Sequence, residues 1–135
     1  MRVQRHTENA LKIAQFLQNH PKISWINYPG LPDNPYYEIA KKYMPKGTCG
    51  VLCFGVKGGR AKAEEFMSYL KLATIETHVA DSHTCCLHPA SSTHRQMTDE
   101  QLKAAGVPAD QIRLSVGLED ADDLIEDIKQ ALERV

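Results

Sequence analysis

The stretch HTCCLHPASSTH, residues 83 to 94, brings three histidines, two adjacent cysteines and four hydroxyl-bearing residues into a dozen positions. Two chemistries suit that composition: metal ligation by thiolate and imidazole, or a cysteine nucleophile with a histidine base. A structural zinc site wants ligand pairs about two to four residues apart that converge tetrahedrally. On a strand, Cys85 and Cys86 leave on opposite faces and cannot easily share one ion. Cys49 and Cys53 flank an apolar run and read as small core or loop residues. No metal is expected. Cys86 and His88 would share a strand face, but a reactive thiol also needs an electropositive setting, and packing is the simpler role for Cys86.

Two other stretches carry chemistry-bearing residues. FGVKGGRAKAEE, residues 54 to 65, sets Gly58 and Gly59 between a strand-like and a helix-like segment. Neither the GxGxxG nor the GxxxxGK[ST] spacing is present, so a tight β-to-α turn is expected rather than a phosphate cradle. Arg113 lies mid-strand in IRLSVG, residues 112 to 117. It is either a solvent-facing charge or a rigidly mounted guanidinium whose planar fork can grip a carboxylate.

The elements that must position these residues follow from periodicity. Val3, Ala10, Ile13, Ala14 and Leu17 recur at helical spacing over residues 2 to 19, up to Pro21. The pattern runs almost to Met1 with no capping residue ahead of it, as expected of a piece of a longer polypeptide. Residues 22 to 27 alternate with one break through Ile23, Trp25 and Tyr28, and predict a strand leading into the turn-rich YPGLPDNP. A short helix from about residue 36 to 43, a buried strand over GVLCFGV (50 to 56) and a helix from Arg60 to Lys71 follow. Two β-like stretches, 73 to 79 and 82 to 87, come next. Thr98 to Gln101 has the form of a capping box for a helix closed by Gly106 and Pro108. The strand IRLSVG precedes a final helix with Asp120, Asp122 and Asp123 at its dipole-positive start and Leu124, Ile125, Ile128 and Leu132 on one face.

The sum predicts an α+β domain over residues 1 to 135: one mixed, largely antiparallel sheet with helices banked on one face. In IRLSVG the apolar Ile112, Leu114 and Val116 should meet the helices, which turns Arg113, Ser115 and Gly117 to the uncovered face. By the same period Cys85 and Leu87 are expected in the core, with Thr84, Cys86 and His88 opposite.

Bulk properties narrow the classes. A chain of 135 residues with 42% hydrophobic content suits one globular domain. Sixteen Lys and Arg against seventeen Asp and Glu leave a net charge of −1 and no basic block for a row of phosphates, so no nucleic-acid partner is expected. No apolar run approaches the roughly 20 residues of a bilayer span, and MRVQRHTENA has no apolar signal core, so a cytoplasmic protein with no membrane partner and free thiols is expected.

Three stretches taken together, NYPGLPDNPYYEIAKKYMPKGTCGVLCFGVKGG, HPASSTHRQMT and IRLSVGLEDADDLIEDI, closely resemble the C-terminal part of the cysteine and methionine metabolism family of pyridoxal-phosphate (PLP) enzymes, nearest to its O-acetylhomoserine sulfhydrylase branch. The resemblance covers nearly the whole chain, and HPAS-x-TH followed by RLS-x-G-x-ED is its specific part. It implies the small, substrate-closing C-terminal domain of a fold-type I enzyme, whose large upstream domain holds PLP on a Schiff-base lysine and is not in this chain. No lysine here sits in a segment like the Schiff-base motif, so no catalytic, cofactor-binding or metal-binding residue carries over, and this piece alone is expected to be inert. Arg113 matches the arginine that binds the substrate α-carboxylate. Thr84 stands at a position usually held by Ser beside that carboxylate. His83 stands where Arg or Glu is commoner, a position that varies with substrate. The implied reaction replaces the γ-acetyl ester of an amino acid by sulfide or a small thiol, in a homo-oligomeric and expectedly tetrameric enzyme whose large domain is this domain's partner. The alternatives are the same domain of a cystathionine γ-synthase, a γ-lyase or a methionine γ-lyase, or a stand-alone interaction module.

Overall fold

A computed structural model describes all residues 1 to 135. Its helices are α1 (Arg2–Gln18), α2 (Tyr37–Tyr43), α3 (Gly59–Ser68), α4 (Asp99–Ala104) and α5 (Ala121–Glu133). Its strands are β1 (Ile23–Asn27), β2 (Val51–Val56), β3 (Thr74–Ile75), β4 (Cys85–Leu87) and β5 (Gln111–Ser115), in the spatial order β1-β2-β5-β4-β3. Every pairing is antiparallel except β3 with β4. The sheet is thus mixed and largely antiparallel, in an α+β fold.

The core lies between one sheet face and the helices α1, α3 and α5. From the sheet come Leu52, Phe54 and Val56 of β2, Ile112 and Leu114 of β5, and Val116 just beyond it. Ala10, Ile13, Ala14 and Leu17 of α1, Ala63, Phe66 and Met67 of α3, and Leu124, Ile128, Ala131 and Leu132 of α5 close over them. The small Ala positions let helix backbones approach the sheet, while Phe54 and Phe66 meet edge to face with centroids 5.9 Å apart. Burying such an aliphatic set contributes about 1.5–3 kcal/mol per large side chain.

The helix ends follow their sequence signals. The Thr98 hydroxyl accepts from Gln101 N, while the Gln101 side-chain oxygen accepts from Thr98 N, completing the capping box. Asp120 accepts from Asp122 N at the start of α5. Gly58 and Gly59, at φ 104° and 77°, make the tight turn from β2 into α3, a conformation that favours glycine.

Four features depart from the expectations. Val3 is exposed, and the inward face of α1 instead begins with His6 and Asn9. Their polar atoms meet the loop after β5: His6 Nδ1 lies 2.6 Å from Val116 O, and Asn9 donates to the carbonyls of Gly117 and Glu119. Trp25 is on the outer sheet face, opposite Gly55, because an irregularity between Ile23 and Trp25 shifts the register and sends Ile23 and Ile26 inward. The two β-like stretches shrink to two and three residues, since residues 76 to 83 leave the sheet and pack on its outer face. Finally, the phase of β4 is the reverse of that expected. Cys86 pairs with Leu114 and enters the core, whereas Cys85 and Leu87 pair with Ser115 and Arg113 on the outer face. The two-residue period holds, but a three-residue strand cannot set its own phase; pairing with β5 sets it.

Candidate substrate-binding face

The outer sheet face is where the chain keeps its unusual polar group. β5 alternates Ile112 and Leu114 inward with Arg113 and Ser115 outward, flanked by Cys53 of β2 and Leu87 of β4. Arg113 therefore rises from the third strand of a five-stranded sheet, which fixes its stem. Its Nη2 donates to the Thr77 carbonyl at 2.8 Å. Its Nε is buried and has no partner. A guanidinium has five N–H donors in a rigid fork, and Nη2 is the one nitrogen of this fork with an acceptor in the protein.

The segment over that face is tied at several points. Ala80 N donates to Ser115 Oγ at 3.0 Å, Leu118 N donates to Ser82 O at 2.8 Å, and Arg2 donates to Ala80 O at 2.5 Å. These contacts hold Ala80 at φ 60°, a left-handed conformation that costs a non-glycine residue about 1–2 kcal/mol.

Thr84 and His83 occupy different environments. Thr84 is buried, and its side chain is on the inward phase shared with Cys86. Its hydroxyl donates to Glu119 Oε2 at 2.9 Å and accepts from Gly117 N at 2.9 Å, and its backbone N–H donates to Glu119 Oε1 at 2.6 Å. His83 is exposed beside Asp81, which accepts from the His83 backbone N–H at 3.0 Å and from Ser82 Oγ at 3.3 Å. That hydrogen bonding holds the Asp81 carboxyl below its ordinary range. The structure thus leaves Arg113 half-buried on the outer sheet face, turns His83 toward solvent, and sets Thr84 into the turn that joins β4 to the end of β5.

Cys86 and His88 of HTCCLHPASSTH are structural. Cys86 has its Sγ 3.1 Å from Met67 Sδ, and burial pushes its thiol well up, away from the thiolate a nucleophile needs. His88 is buried with Nδ1 2.8 Å from Ser91 Oγ and Nε2 2.8 Å from Ala109 O. All four cysteines are free. Sequence reading missed two carboxylates: Glu119, which clasps Thr84, and Asp127. The latter is buried on α5 and accepts from the backbone N–H groups of Lys71, Leu72 and Ala73 at 2.8, 2.9 and 3.0 Å. Asp127 falls among the apolar positions of α5, and that anomaly was its only signal.

A family model described as Cys/Met metabolism PLP-dependent enzyme matches residues 1–133. The chain belongs to that family. It is 45% identical over its full length to an O-acetyl-L-homoserine sulfhydrylase of Leptospira meyeri and covers 31% of it. It is 43% identical, again over its full length, to an L-methionine gamma-lyase of Treponema denticola, covering 33% of it. A crystal structure of a putative O-acetylhomoserine (thiol)-lyase from Campylobacter jejuni, which contains a pyridoxyl-lysine monophosphate, superposes with a TM-score of 0.90 at 41% identity. That match covers 98% of this chain and 31% of the other. The chain therefore spans about a third of the length of these relatives. No helix is long and apolar enough to cross a membrane.

The family's cofactor forms a Schiff base and needs a lysine amine beside it. None of the five strands contains a lysine. Lys22 Nζ is instead engaged by the carbonyls of Leu132 and Val135, Lys57 Nζ by that of Pro21, and Lys62 by Glu65. The residues around Arg113 thus do not fit as a seat for pyridoxal phosphate.

Proposed function

We propose that this chain is the C-terminal, substrate-closing domain of a cytoplasmic PLP-dependent transferase of the O-acetylhomoserine sulfhydrylase type. The reaction exchanges the γ-acetyl ester for sulfide or a small thiol, giving homocysteine or methionine. In this reading the cofactor and its lysine belong to a large domain of the same enzyme, the whole works as a homo-oligomer, tetrameric in its simplest form, and the 135 residues alone are inert. Their contribution is positioning rather than proton transfer. Arg113 grips the substrate α-carboxylate, His83 stands at the rim where substrates differ, and Thr84 holds the adjoining turn through Glu119 and Gly117. The observation that carries this reading is the partly unpaired fork of Arg113, mounted mid-sheet on the outer face. A charge-assisted, two-point hydrogen bond from such a fork contributes about 1.5–3 kcal/mol.

A second reading, a γ-lyase, is favoured by the likeness to the Treponema denticola protein. Grafting separates the two. The Leptospira meyeri relative would be rebuilt with this chain in place of its matching segment and given O-acetyl-L-homoserine with sulfide, with cysteine, or with methionine alone. Homocysteine formation dependent on sulfide supports the sulfhydrylase reading. Cystathionine from cysteine, or ketobutyrate from methionine, at higher kcat/KM would replace it. Absence of turnover by the ungrafted 135-residue chain is also expected.

A further inference from the structure

The thiols and imidazoles of residues 83 to 94 form no metal site among themselves, because β4 sends Cys86 inward and His88 is satisfied within the protein. Cys85 faces the other way. Parallel pairing of β3 with β4 aligns Thr74 with Cys85, and Glu76 N continues the ladder to Cys86 O. Glu76 and His78 thereby come alongside Cys85. One donor atom from each of the three lies within 4.8 Å of the others.

These three residues, with Thr74, Asp81 and His83, line a depression of about 340 Å³. Glu76 and His78 are exposed and face each other, with Oε2 2.6 Å from Nδ1. Cys85 is buried behind them, with its Sγ in a long, 3.5 Å contact to the His83 carbonyl and hydrogen-bonded to the Thr74 side chain. Burial and the charges of Glu76, Asp81 and Glu119 oppose ionisation of this thiol. A divalent cation in the depression would reverse both effects.

We propose that the Glu76 carboxylate, the His78 imidazole and the Cys85 thiolate form a binding site for a zinc-class divalent cation, with water in the fourth position. A mixed sulfur, nitrogen and oxygen set selects such an ion over magnesium or calcium, which want oxygen alone. Bonds of about 2.0 to 2.3 Å in a tetrahedron place neighbouring donor atoms about 3.3 to 3.6 Å apart. The donor atoms, all within 4.8 Å of one another, reach that when the 2.6 Å Glu76–His78 pair opens and both close on Cys85, a movement that their exposed side chains can supply by rotation while Cys85 stays fixed on β4. Binding exchanges the Glu76–His78 contact for two bonds to the ion and releases the Cys85 thiol proton to solvent. The ion staples the segment that follows β3 to β4, on both sides of Thr77, whose carbonyl holds Arg113.

The test is titration of the untagged, reduced 135-residue chain with cobalt(II), followed by zinc(II). A single equivalent of cobalt should produce a thiolate-to-cobalt charge-transfer band and tetrahedral ligand-field bands, and zinc should abolish both. Cys85→Ser should remove the charge-transfer band, Glu76→Gln and His78→Asn should each weaken binding at least about tenfold, and Cys53→Ser should change nothing. Circular dichroism checks each fold, and because Glu76 and His78 are exposed, their variants decide the matter even if Cys85→Ser does not fold. No thiolate band at saturating cobalt, a band undiminished in Cys85→Ser, or unchanged affinity in both exposed variants would overturn the proposal.

Discussion

On the inner side of the Thr84–Cys85 peptide, the Thr84 hydroxyl both donates and accepts, Glu119 receives two hydrogen bonds from the same residue, and Asn9 closes the carbonyls of Gly117 and Glu119. On the outer side, Arg113 keeps a buried Nε without a partner, His83 lies in solvent, and Ala80 is held in a left-handed conformation. Satisfied polar groups fix a fold; unsatisfied donors on a rigid strand are what a ligand can use. The same region of the chain therefore holds the structure together through one face and, in the proposed function, meets the substrate through the other.

Substitutions that break this contrast should differ in size. Asp127→Ala leaves three backbone N–H groups of the α3–β3 connection without their acceptor. It should cost about 3 kcal/mol or more in urea unfolding. Thr84→Val keeps the shape but strands Gly117 N and one Glu119 oxygen, and should cost about 2 kcal/mol by the same measurement. Ala80→Gly relieves the left-handed residue at the cost of chain entropy, for a net stabilisation of about 0.5 kcal/mol. His83→Ala, on the exposed side, should change stability by less than about 0.5 kcal/mol while shifting substrate preference in the grafted enzyme. A His83→Ala loss as large as that of Thr84→Val would erase the distinction between the two faces.

The fold was largely legible because its long elements carry strong periodic signals. The stripe of α5, the alternation of IRLSVG and the capping box at Thr98 all reappear in the folded chain. Arg113 was also legible, since strict alternation in β5 decides which way it points. The phase of β4 was not, because only its neighbour β5 distinguishes Cys85 from Cys86. Nor were the polar anchors: His6, Asn9, Glu119 and Asp127 bind backbone groups more than 30 residues away in sequence, and no local pattern encodes such partners. The grouping of Glu76 and His78 with Cys85 depends in the same way on a two-residue parallel pairing.

The role of Arg113 is tested most directly by removing each partner of its proposed contact in turn. In the grafted enzyme, kcat/KM would be compared for O-acetyl-L-homoserine and its α-carboxamide, with Arg113 present and after Arg113→Ala. With the arginine, the carboxylate substrate should be preferred by about 10- to 100-fold, as a contact of about 1.5–3 kcal/mol requires. Arg113→Ala should lose most of that preference, chiefly through KM, with stability nearly unchanged. An undiminished preference in Arg113→Ala would contradict the assignment.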